Sequence, residues 1–180
     1  DIYIFERQRD HLGAGLISCR LSHRCIKESM LLEDHDFRFI EMNYAPELDL
    51  ESFSIDKNVS LLTVRRADQK DLPSLMAIAR TSFHNERFKI DPRLDPGISD
   101  RRYQNWVANS VQHPTQELYV ICEGKNEIAF FITEMLTDGT CYWHLNAVTP
   151  EMQGHGYGWR AWLSMVNQAV ISGALRIRTS

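Results

Sequence analysis

The stretch Val148-Thr-Pro-Glu-Met-Gln-Gly-His-Gly-Tyr-Gly-Trp159 decides how this chain is interpreted. Glycines at 154, 156 and 158 leave its backbone free of Cβ atoms, so it can adopt positive φ or approach a ligand closely. The apolar segment 141–147 before it predicts a strand, and the spacing of three and four between apolar residues after Trp159 predicts an amphipathic helix. A strand, a glycine-rich turn and a helix point unpaired N–H groups at an anion. The stretch therefore predicts a phosphate-binding loop.

Two familiar phosphate loops do not fit these residues. A Walker loop needs Gly-Lys followed by Ser or Thr, and the sequence has no such triplet. A dinucleotide-binding loop has the spacing Gly-x-Gly-x-x-Gly with an acidic residue about 20 positions later, and no acidic residue follows Glu151. The segment Gln153-Gly-His-Gly-Tyr-Gly158, preceded by Asn146-Ala-Val-Thr-Pro-Glu151, resembles the acetyl-coenzyme A pyrophosphate loop of the GCN5-related N-acetyltransferases. The alternative is an ordinary glycine-rich turn between a strand and a helix.

Length and composition fit a globular protein with one domain and a small appendage. The chain has 180 residues, of which 43% are hydrophobic and 24% charged. A net charge of −4 gives no reason to expect nucleic-acid binding. The four cysteines form no C-x-x-C pair, the histidines have no metal-site spacing, and no apolar run reaches membrane length. We expect a cytoplasmic, metal-free protein that binds no membrane. Because the sequence starts at Asp1 and ends within a predicted strand, we also expect flanking residues outside it.

The first third of the chain is predicted to form a separate unit over residues 1–57. Residues 1–6 and 15–21 have the composition of short strands, Ser22 is a candidate cap for a helix to Glu33, and residues 37–44 predict a further strand. Residues 45–57, with Pro46 and many acids, predict a polar linker. The helix-to-strand passage resembles the closing part of an acetyltransferase domain, which implies a small N-terminal partial repeat of that fold.

Residues 58–180 are predicted to form the core domain, with the element order βααβββαβ. The predicted strands are 59–66, 117–123, 127–136, 141–148 and 175–179, and the predicted helices are 71–83, 99–112 and 156–172. This order resembles the acetyltransferase fold up to its fifth strand. The resemblance implies an α/β protein of the α+β type, with a mixed, mostly antiparallel sheet flanked by helices, and an acyltransferase activity.

A second resemblance concerns the acceptor. Residues 79–88, then Asp91-Pro, then residues 103–107 are similar to bacterial nucleotide-sugar amine N-acetyltransferases, with the dTDP-fucosamine enzymes nearest. This implies a nucleotide-linked amino sugar as the small-molecule amine. Arginines can bind a diphosphate and aromatic rings can stack on a base or sugar. The candidate substrate-binding residues are Arg87, Phe88, Arg93, Tyr103 and Trp106. A solvated helix face for the arginines and core packing for Trp106 are the alternatives.

The same resemblance assigns residues to acetyl-CoA, the expected acetyl donor. Backbone groups around Leu145, Ala147 and Val148 are expected to bind the pantetheine arm. Main-chain amides of the loop are expected to surround the diphosphate, and its residues are Gln153, Gly154, His155, Gly156, Tyr157 and Gly158.

The catalytic base has two candidates on neighbouring predicted strands. Alternation predicts that Tyr142, His144, Asn146 and Val148 share one face, so His144 would face the cleft. Imidazole gains and loses a proton near neutral pH, as deprotonation of an ammonium requires. Glu134 is the rival base, acting through a water. For each residue, a structural or solvated strand position is the alternative.

Two other functions stay open. The chain can acetylate a different amine, such as a peptide N-terminus, a polyamine or an aminoglycoside, or it can be a non-catalytic module that binds coenzyme A. Clustered acids near Glu134 would favour a polyamine, whereas clustered arginines near residues 87–102 favour a nucleotide sugar. A homodimer is also left open.

Overall fold

The computed structural model describes residues 2–180. The chain divides into two compact units, Asp1–Phe39 and Ile40–Ser180. The first unit contains helices α1 (Ile2–Leu12) and α2 (Ile26–Asp34). The helices of the second unit are α3 (Leu72–Ser82), α4 (Arg87–Ile90), α5 (Gly97–Ser110) and α6 (Tyr157–Ile171). Its strands are β1 (Glu47–Asp49), β2 (Thr63–Arg66), β3 (Gln116–Glu123), β4 (Asn126–Met135), β5 (Thr140–Val148) and β6 (Arg176–Thr179).

The second unit is built on one six-stranded sheet in the order β1-β6-β5-β4-β3-β2. Strands β2 to β5 pair antiparallel, and β1 pairs antiparallel with β6. The β5–β6 pair is parallel, and α6 forms the crossover between these two strands. The sheet is therefore mixed and mostly antiparallel, as the sequence predicts.

Both faces of the sheet are covered by helices. Strand β4 alternates between them, with Ala129 and Phe131 in the apolar cluster that includes α6, and Phe130 and Ile132 in the cluster that includes α3 and α5. The central strands are therefore buried on both sides, which explains their almost continuous apolar sequence.

Strand β5 carries a β-bulge beside β4. Ile132 of β4 lies opposite Leu145, but the next residue, Thr133, lies opposite Trp143, so His144 has no residue facing it. An extra residue in one strand reverses the alternation of side chains beyond it. Trp143 accordingly packs in the α6 cluster, whereas Leu145, two residues later, packs in the cluster of α3 and α5.

The bulge contradicts the expectation that Tyr142, His144, Asn146 and Val148 share one face. The His144 ring lies 6.2 Å from the Trp106 ring of α5, while Val148 packs against the α6 cluster. The prediction is wrong because simple alternation assumes a regular strand, and one inserted residue places the two ends of this set on opposite faces.

The predicted strand–helix–strand content of the N-terminal unit is wrong for the residues that the structure describes. Residues 2–12 are helical, residues 15–21 and 37–44 are irregular, and only the helix predicted from Ser22 has a counterpart, in α2. Residue 1 of the first predicted strand lies outside the described residues. The apolar start Ile-Tyr-Ile-Phe has strand-like composition, but a helix satisfies its own backbone groups whereas a strand needs a neighbour.

The segment 45–57 is more than the predicted linker. It contains β1, and Leu50 is buried in the α6 cluster. Its pairing partner β6 lies over 120 residues away, so local composition gives no sign of this strand.

In the core, β3, β4, β5 and α6 lie within two residues of their predicted bounds. Strand β2 begins at Thr63 instead of 59, because the backbone N–H of Leu62 donates to Ser164 Oγ of α6 at 2.8 Å and leaves the sheet. Helix α5 begins at Gly97 instead of Ser99. The Asp95 side chain accepts from the N–H of this first helical residue, Gly97, at 2.9 Å.

Candidate active site

The loop between β5 and α6 is exposed and has a left-handed backbone. Gly154 has φ 76° and Gly156 has φ 80°, and residues 153–156 are all exposed. A Cβ at either glycine would find no protein atom within 4 Å, so the positive φ, and not crowding by the protein, is what favours glycine here. The space above the loop is therefore open to a ligand.

The beginning of α6 presents unpaired backbone donors. Gly156 is the N-cap residue, and the helix's first hydrogen bond runs from the Arg160 N–H to the Gly156 carbonyl at 3.4 Å. The N–H groups of the preceding first-turn residues lack intrahelical acceptors, and the helix dipole adds positive potential at this end. This geometry suits an anion such as a diphosphate.

Two side-chain contacts hold the first part of the loop. Gln153 Nε2 donates to the Val148 carbonyl at 3.0 Å, and His155 Nδ1 lies 2.8 Å from the Gln153 carbonyl oxygen. The Gln153 amide thus supports the loop, and its binding capacity lies in the main chain.

A carboxylate near the start of α6 is neutralised by its neighbours. Glu123, the last residue of β3, hydrogen-bonds the Tyr157 hydroxyl and forms an ion pair of 2.8 Å with Arg160. The hydrogen bond from Tyr157, followed by that from Arg160, lowers the pKa of the Glu123 carboxyl. Arg160 therefore offsets this negative charge close to the loop.

The second half of β5 has a free edge. Pairing with β6 stops at Trp143, so within residues 2–180 the segment 144–148 pairs with β4 on one side and with no strand on the other. The side chains of Leu145 and Ala147 are buried beneath α3 and α5. Backbone groups are therefore what this edge can offer to a ligand.

His144 and Glu134 are hydrogen-bonded to each other. The Nε2 atom of His144 lies 2.8 Å from Glu134 Oε2, and both side chains keep about a fifth of their surface exposed, 20% and 21%. A hydrogen bond from Thr115, and then that of His144, lowers the pKa of the Glu134 carboxyl. The two rival candidates for the base therefore form one carboxylate–imidazole pair at the bulge.

The predicted arginines on the other side of the cleft are already neutralised. Arg87 forms an ion pair of 2.9 Å with Glu41, and Arg93 makes two hydrogen bonds with Asp91, at 2.7 and 2.9 Å. Arg93 lowers the pKa of Asp91 to about 2. Neither arginine is free to bind a diphosphate without breaking a pair.

Two of the predicted aromatic residues come together, since the Tyr103 and Trp106 rings are parallel at 6.5 Å between centroids. Phe83, which is not among the predicted residues, stacks on Tyr103 at 4.2 Å, and the Trp106 ring lies 6.2 Å from that of His144. Burial raises the pKa of Tyr103 to about 12, so its hydroxyl stays protonated in the physiological range.

No family model matches the sequence, and no curated protein matches it either. Solved structures do. A GCN5-related N-acetyltransferase from Kribbella flavida has a TM-score of 0.53 at 12% identity, over 84% of this chain and 52% of that one. A spermidine N-acetyltransferase chimera from Vibrio cholerae has a TM-score of 0.51 at 16% identity, over 67% of this chain and 70% of the other.

The chain has the GCN5-related N-acetyltransferase fold. It matches only part of several such proteins, including 63% of the ribosomal-protein-S18-alanine N-acetyltransferase from Escherichia coli, at 18% identity and a TM-score of 0.45. In the acetyltransferase fold of this chain, the glycine loop, the free edge of β5 and the His144–Glu134 pair all belong to the segment that joins β4, β5 and α6.

Two residues of this acetyltransferase-fold site were not foreseen. Glu41, the partner of Arg87, lies 46 residues earlier, and no local pattern connects them. The guanidinium of Arg102 lies over the rings of Phe88, Tyr103 and Trp106, at 4.9, 5.8 and 5.4 Å from their centroids. The available signal was Trp106, an aromatic residue four positions after Arg102 on a helix.

Other kinds of site are not found in the described part of the chain. Within residues 2–180, no group of three or more His, Cys, Asp or Glu side chains is arranged to hold a metal ion. Each helix of the same residues is too short or too polar to cross a lipid bilayer.

Proposed function

We propose that the protein is an acetyl-CoA-dependent N-acetyltransferase that transfers the acetyl group to a primary amine by direct attack in a ternary complex. The observation that carries this proposal is the exposed, left-handed Gly154–Gly156 loop at the start of α6, which directly follows the free edge of β5 and the His144–Glu134 pair. One continuous segment thus combines an anion site, a backbone edge and a base.

The residues present fit acetyl-CoA. Main-chain N–H groups of 154–158 would bind the diphosphate, and the open space above Gly154 and Gly156 leaves room for it. The Thr149 N–H donates to the Ile128 carbonyl of β4, so alternation directs the backbone groups of Leu145 and Ala147 to β4 as well. The free edge is therefore offered by Asn146 and Val148, whose backbone groups would hydrogen-bond the pantetheine arm. When bound, acetyl-CoA supplies the acetyl group as a thioester.

His144 is proposed as the general base, with Glu134 as the residue that orients it. If Nε2–H donates to Glu134, then Nδ1 keeps its lone pair and can accept a proton from the amine, directly or through a water. The carboxylate stabilises the imidazolium that results. From the sequence, His144 and Glu134 are alternative candidates for the base. Their 2.8 Å contact supports a joint role instead.

The acceptor is proposed to be a nucleotide-linked amino sugar. The exposed part of Trp106 and the partly buried Phe88 ring can stack on a sugar or base. Arg87 and Arg93 are paired with acids, so they are not the residues that would bind its diphosphate.

A polyamine is the second candidate, because one similar structure is a spermidine N-acetyltransferase chimera. A polycation would need several acids near the reacting amine. The groups that lower the pKa of Glu134 are Thr115, His144 and His113, and none of them is an acid. The described surroundings therefore favour a polyamine less than an amino sugar. A non-catalytic module that binds coenzyme A is the third possibility that experiment must separate.

The test combines binding and turnover. We expect acetyl-CoA to bind by calorimetry, and thiol release to depend on an amino-sugar nucleotide more than on spermidine or a peptide. Binding without thiol release for any amine would leave only a coenzyme-binding module, and no binding would overturn the whole proposal. A homodimer and a cytoplasmic location remain proposals, measurable by light scattering and by fractionation.

A further inference from the structure

The surface formed by α4 and α5 is rich in cations, but nearly all of them are neutralised. Four ion pairs hold side chains of this surface together, and they are Glu41–Arg87, Asp91–Arg93, Asp95–Arg101 and Asp100–Lys89. A guanidinium or ammonium already paired with a carboxylate has little to offer a second anion. The four cations in these pairs are therefore poor candidates for binding an anionic group of a ligand.

Arg102 is different from these residues. It is exposed, and among the described residues it forms no ion pair with a carboxylate. Its guanidinium instead lies over three aromatic rings. A guanidinium has several N–H donors, so Arg102 can contact the Tyr103 hydroxyl and the rings and still offer N–H groups to a phosphate or carboxylate.

This arginine belongs to the same surface as the proposed base. Arg102 lies over the Trp106 ring, and the Trp106 ring is 6.2 Å from the ring of His144. A molecule that presents an amine to His144 and extends along Trp106 therefore meets Arg102 with its other end.

Two unsatisfied polar atoms lie at the beginning of α4. Glu86 Oε1 and Arg87 Nε are both buried without a hydrogen-bond partner. One is an acceptor and the other is a donor, and buried polar atoms without partners are uncommon in folded proteins. The negative charge of Glu86 raises the pKa of the Tyr103 hydroxyl, whereas the positive charge of Arg102 lowers it. The surface that carries Arg102 thus suits a ligand with one anionic end.

We propose that Arg102 determines acceptor specificity by binding an anionic group, phosphate or carboxylate, of a hydroxylated amine. This inference rests on the proposed acetyltransferase function and names the residue that selects its substrate. It moves the anion-binding role from Arg87 and Arg93 to Arg102, and it disfavours polyamines, which bring only positive charge to this guanidinium.

The experiment measures binding without acetyl-CoA, so its result is independent of turnover. Glucosamine, glucosamine 6-phosphate and an amino uronic acid are titrated into the whole chain by calorimetry. We expect at least one anionic sugar to bind about 10- to 100-fold more tightly than glucosamine, as a charge-assisted bidentate contact would give. The two anionic ligands distinguish a phosphate from a carboxylate site.

Variants assign the effect to the residue. Arg102→Gln should remove the preference for the anionic sugar, while Arg102→Lys should keep part of it. Arg101→Gln is the matched control, because Arg101 is the neighbouring exposed arginine and is paired with Asp95 at 3.2 Å. Thermal unfolding of each variant confirms that it is folded.

Equal binding of glucosamine and both anionic sugars to the wild type would overturn the inference. So would an Arg102→Gln variant that weakens all three ligands alike, or an Arg101→Gln variant with the same effect. The acetyltransferase proposal fails by a different result, namely no binding of acetyl-CoA, so the two failures can be told apart.

Discussion

At the scale of single residues, His144 has two unusual features at once. It is the residue without an opposite partner in the β4–β5 ladder, and its ring is held by Glu134 at 2.8 Å. Bulges change the direction of a side chain, which here turns the imidazole toward Trp106 and the α5 side of the sheet. The backbone irregularity and the hydrogen bond together fix one orientation of the ring.

Replacement of the two members of this pair should give different kinetic results. We expect His144→Gln to lower kcat about 100-fold or more, as loss of a general base does, and Glu134→Gln to lower it about 10-fold, as loss of an orienting carboxylate does. The measurement is kcat and KM for acetyl-CoA in a thiol-release assay. His84→Gln, at an exposed histidine of another segment, is the control.

The pH profile adds an independent readout. Because Thr115 and His144 lower the pKa of Glu134, this carboxylate stays charged at weakly acidic pH, so it should not produce the acid limb of the profile. We expect the limb to disappear in His144→Gln and to persist in Glu134→Gln. An acid limb that survives in His144→Gln would exclude His144 as the base.

Two glycines provide a matched test of the loop. Gly156 and Gly173 both have φ 80°, lie just outside opposite ends of α6, and would place a Cβ in open space. Alanine at either should cost about 1–2 kcal/mol of unfolding free energy from backbone strain. Only Gly156→Ala should weaken acetyl-CoA binding, by about 10-fold or more, and Gly156→Val should abolish it. Equal binding by the Gly156 and Gly173 variants in calorimetry would remove the loop from the site.

At the scale of secondary-structure elements, a partly buried ion pair joins β2 to α3. Asp71, next to the start of α3, accepts two hydrogen bonds from Arg65 of β2 at 2.7 and 2.8 Å. The hydrogen bonds from Arg65 are the main cause of the lowered pKa of Asp71. The pair positions α3 over the sheet, on the face that holds His144.

This junction predicts a definite pH dependence. A carboxyl whose pKa is lower in the folded chain stabilises it above the unfolded pKa, and the contribution is lost as pH falls through the folded value. Asp71→Asn should lower the unfolding free energy by about 1 kcal/mol at pH 7, since Arg65 is partly exposed and screened. The difference between wild type and variant, measured by urea unfolding, should shrink toward pH 2. A difference that grows on acidification would contradict the assignment.

The elements that the sequence predicts well are those with local signals. Turns at Gly124 and Gly139 separate β3, β4 and β5, and both glycines have positive φ. The glycine loop and α6 are visible for the same reason. The bulge at His144, the strand β1 and the Glu41–Arg87 pair depend on contacts between distant segments, and a single sequence does not reveal these. The ion pair of Arg93 with Asp91 is different, because the two residues lie only two positions apart in the sequence.

At the scale of the molecule, the two units differ in how many of their residues are buried. Among the described residues 3–39 none is buried, whereas residues 40–180 contain both apolar clusters. The sequence placed the domain boundary at residue 57, and that division remains a prediction. The structure offers an alternative at residue 39.

Two shortened chains decide between these boundaries. A chain of residues 40–180 should fold cooperatively, because it keeps both clusters. A chain of 58–180 should lose about 3 kcal/mol or more, because it lacks β1, the buried Leu50 and the Glu41 partner of Arg87. Urea unfolding measures both, with Leu50→Ala in the longer chain as the control for the single side chain. Equal stability of the two chains would favour the boundary at 57.

The position of β6 between β1 and β5 also bears on biosynthesis. The contact between Glu47 and Arg178 spans 131 residues, so β1 leaves the ribosome roughly 7 to 26 s before its partner at typical translation rates. During that time β1 is an unpaired edge, but it is three residues long and carries Glu47 and Asp49, which discourage pairing with other nascent chains. Ribosome-stalled chains should therefore be cleaved by protease near β1 until β6 has emerged, and resist cleavage afterwards.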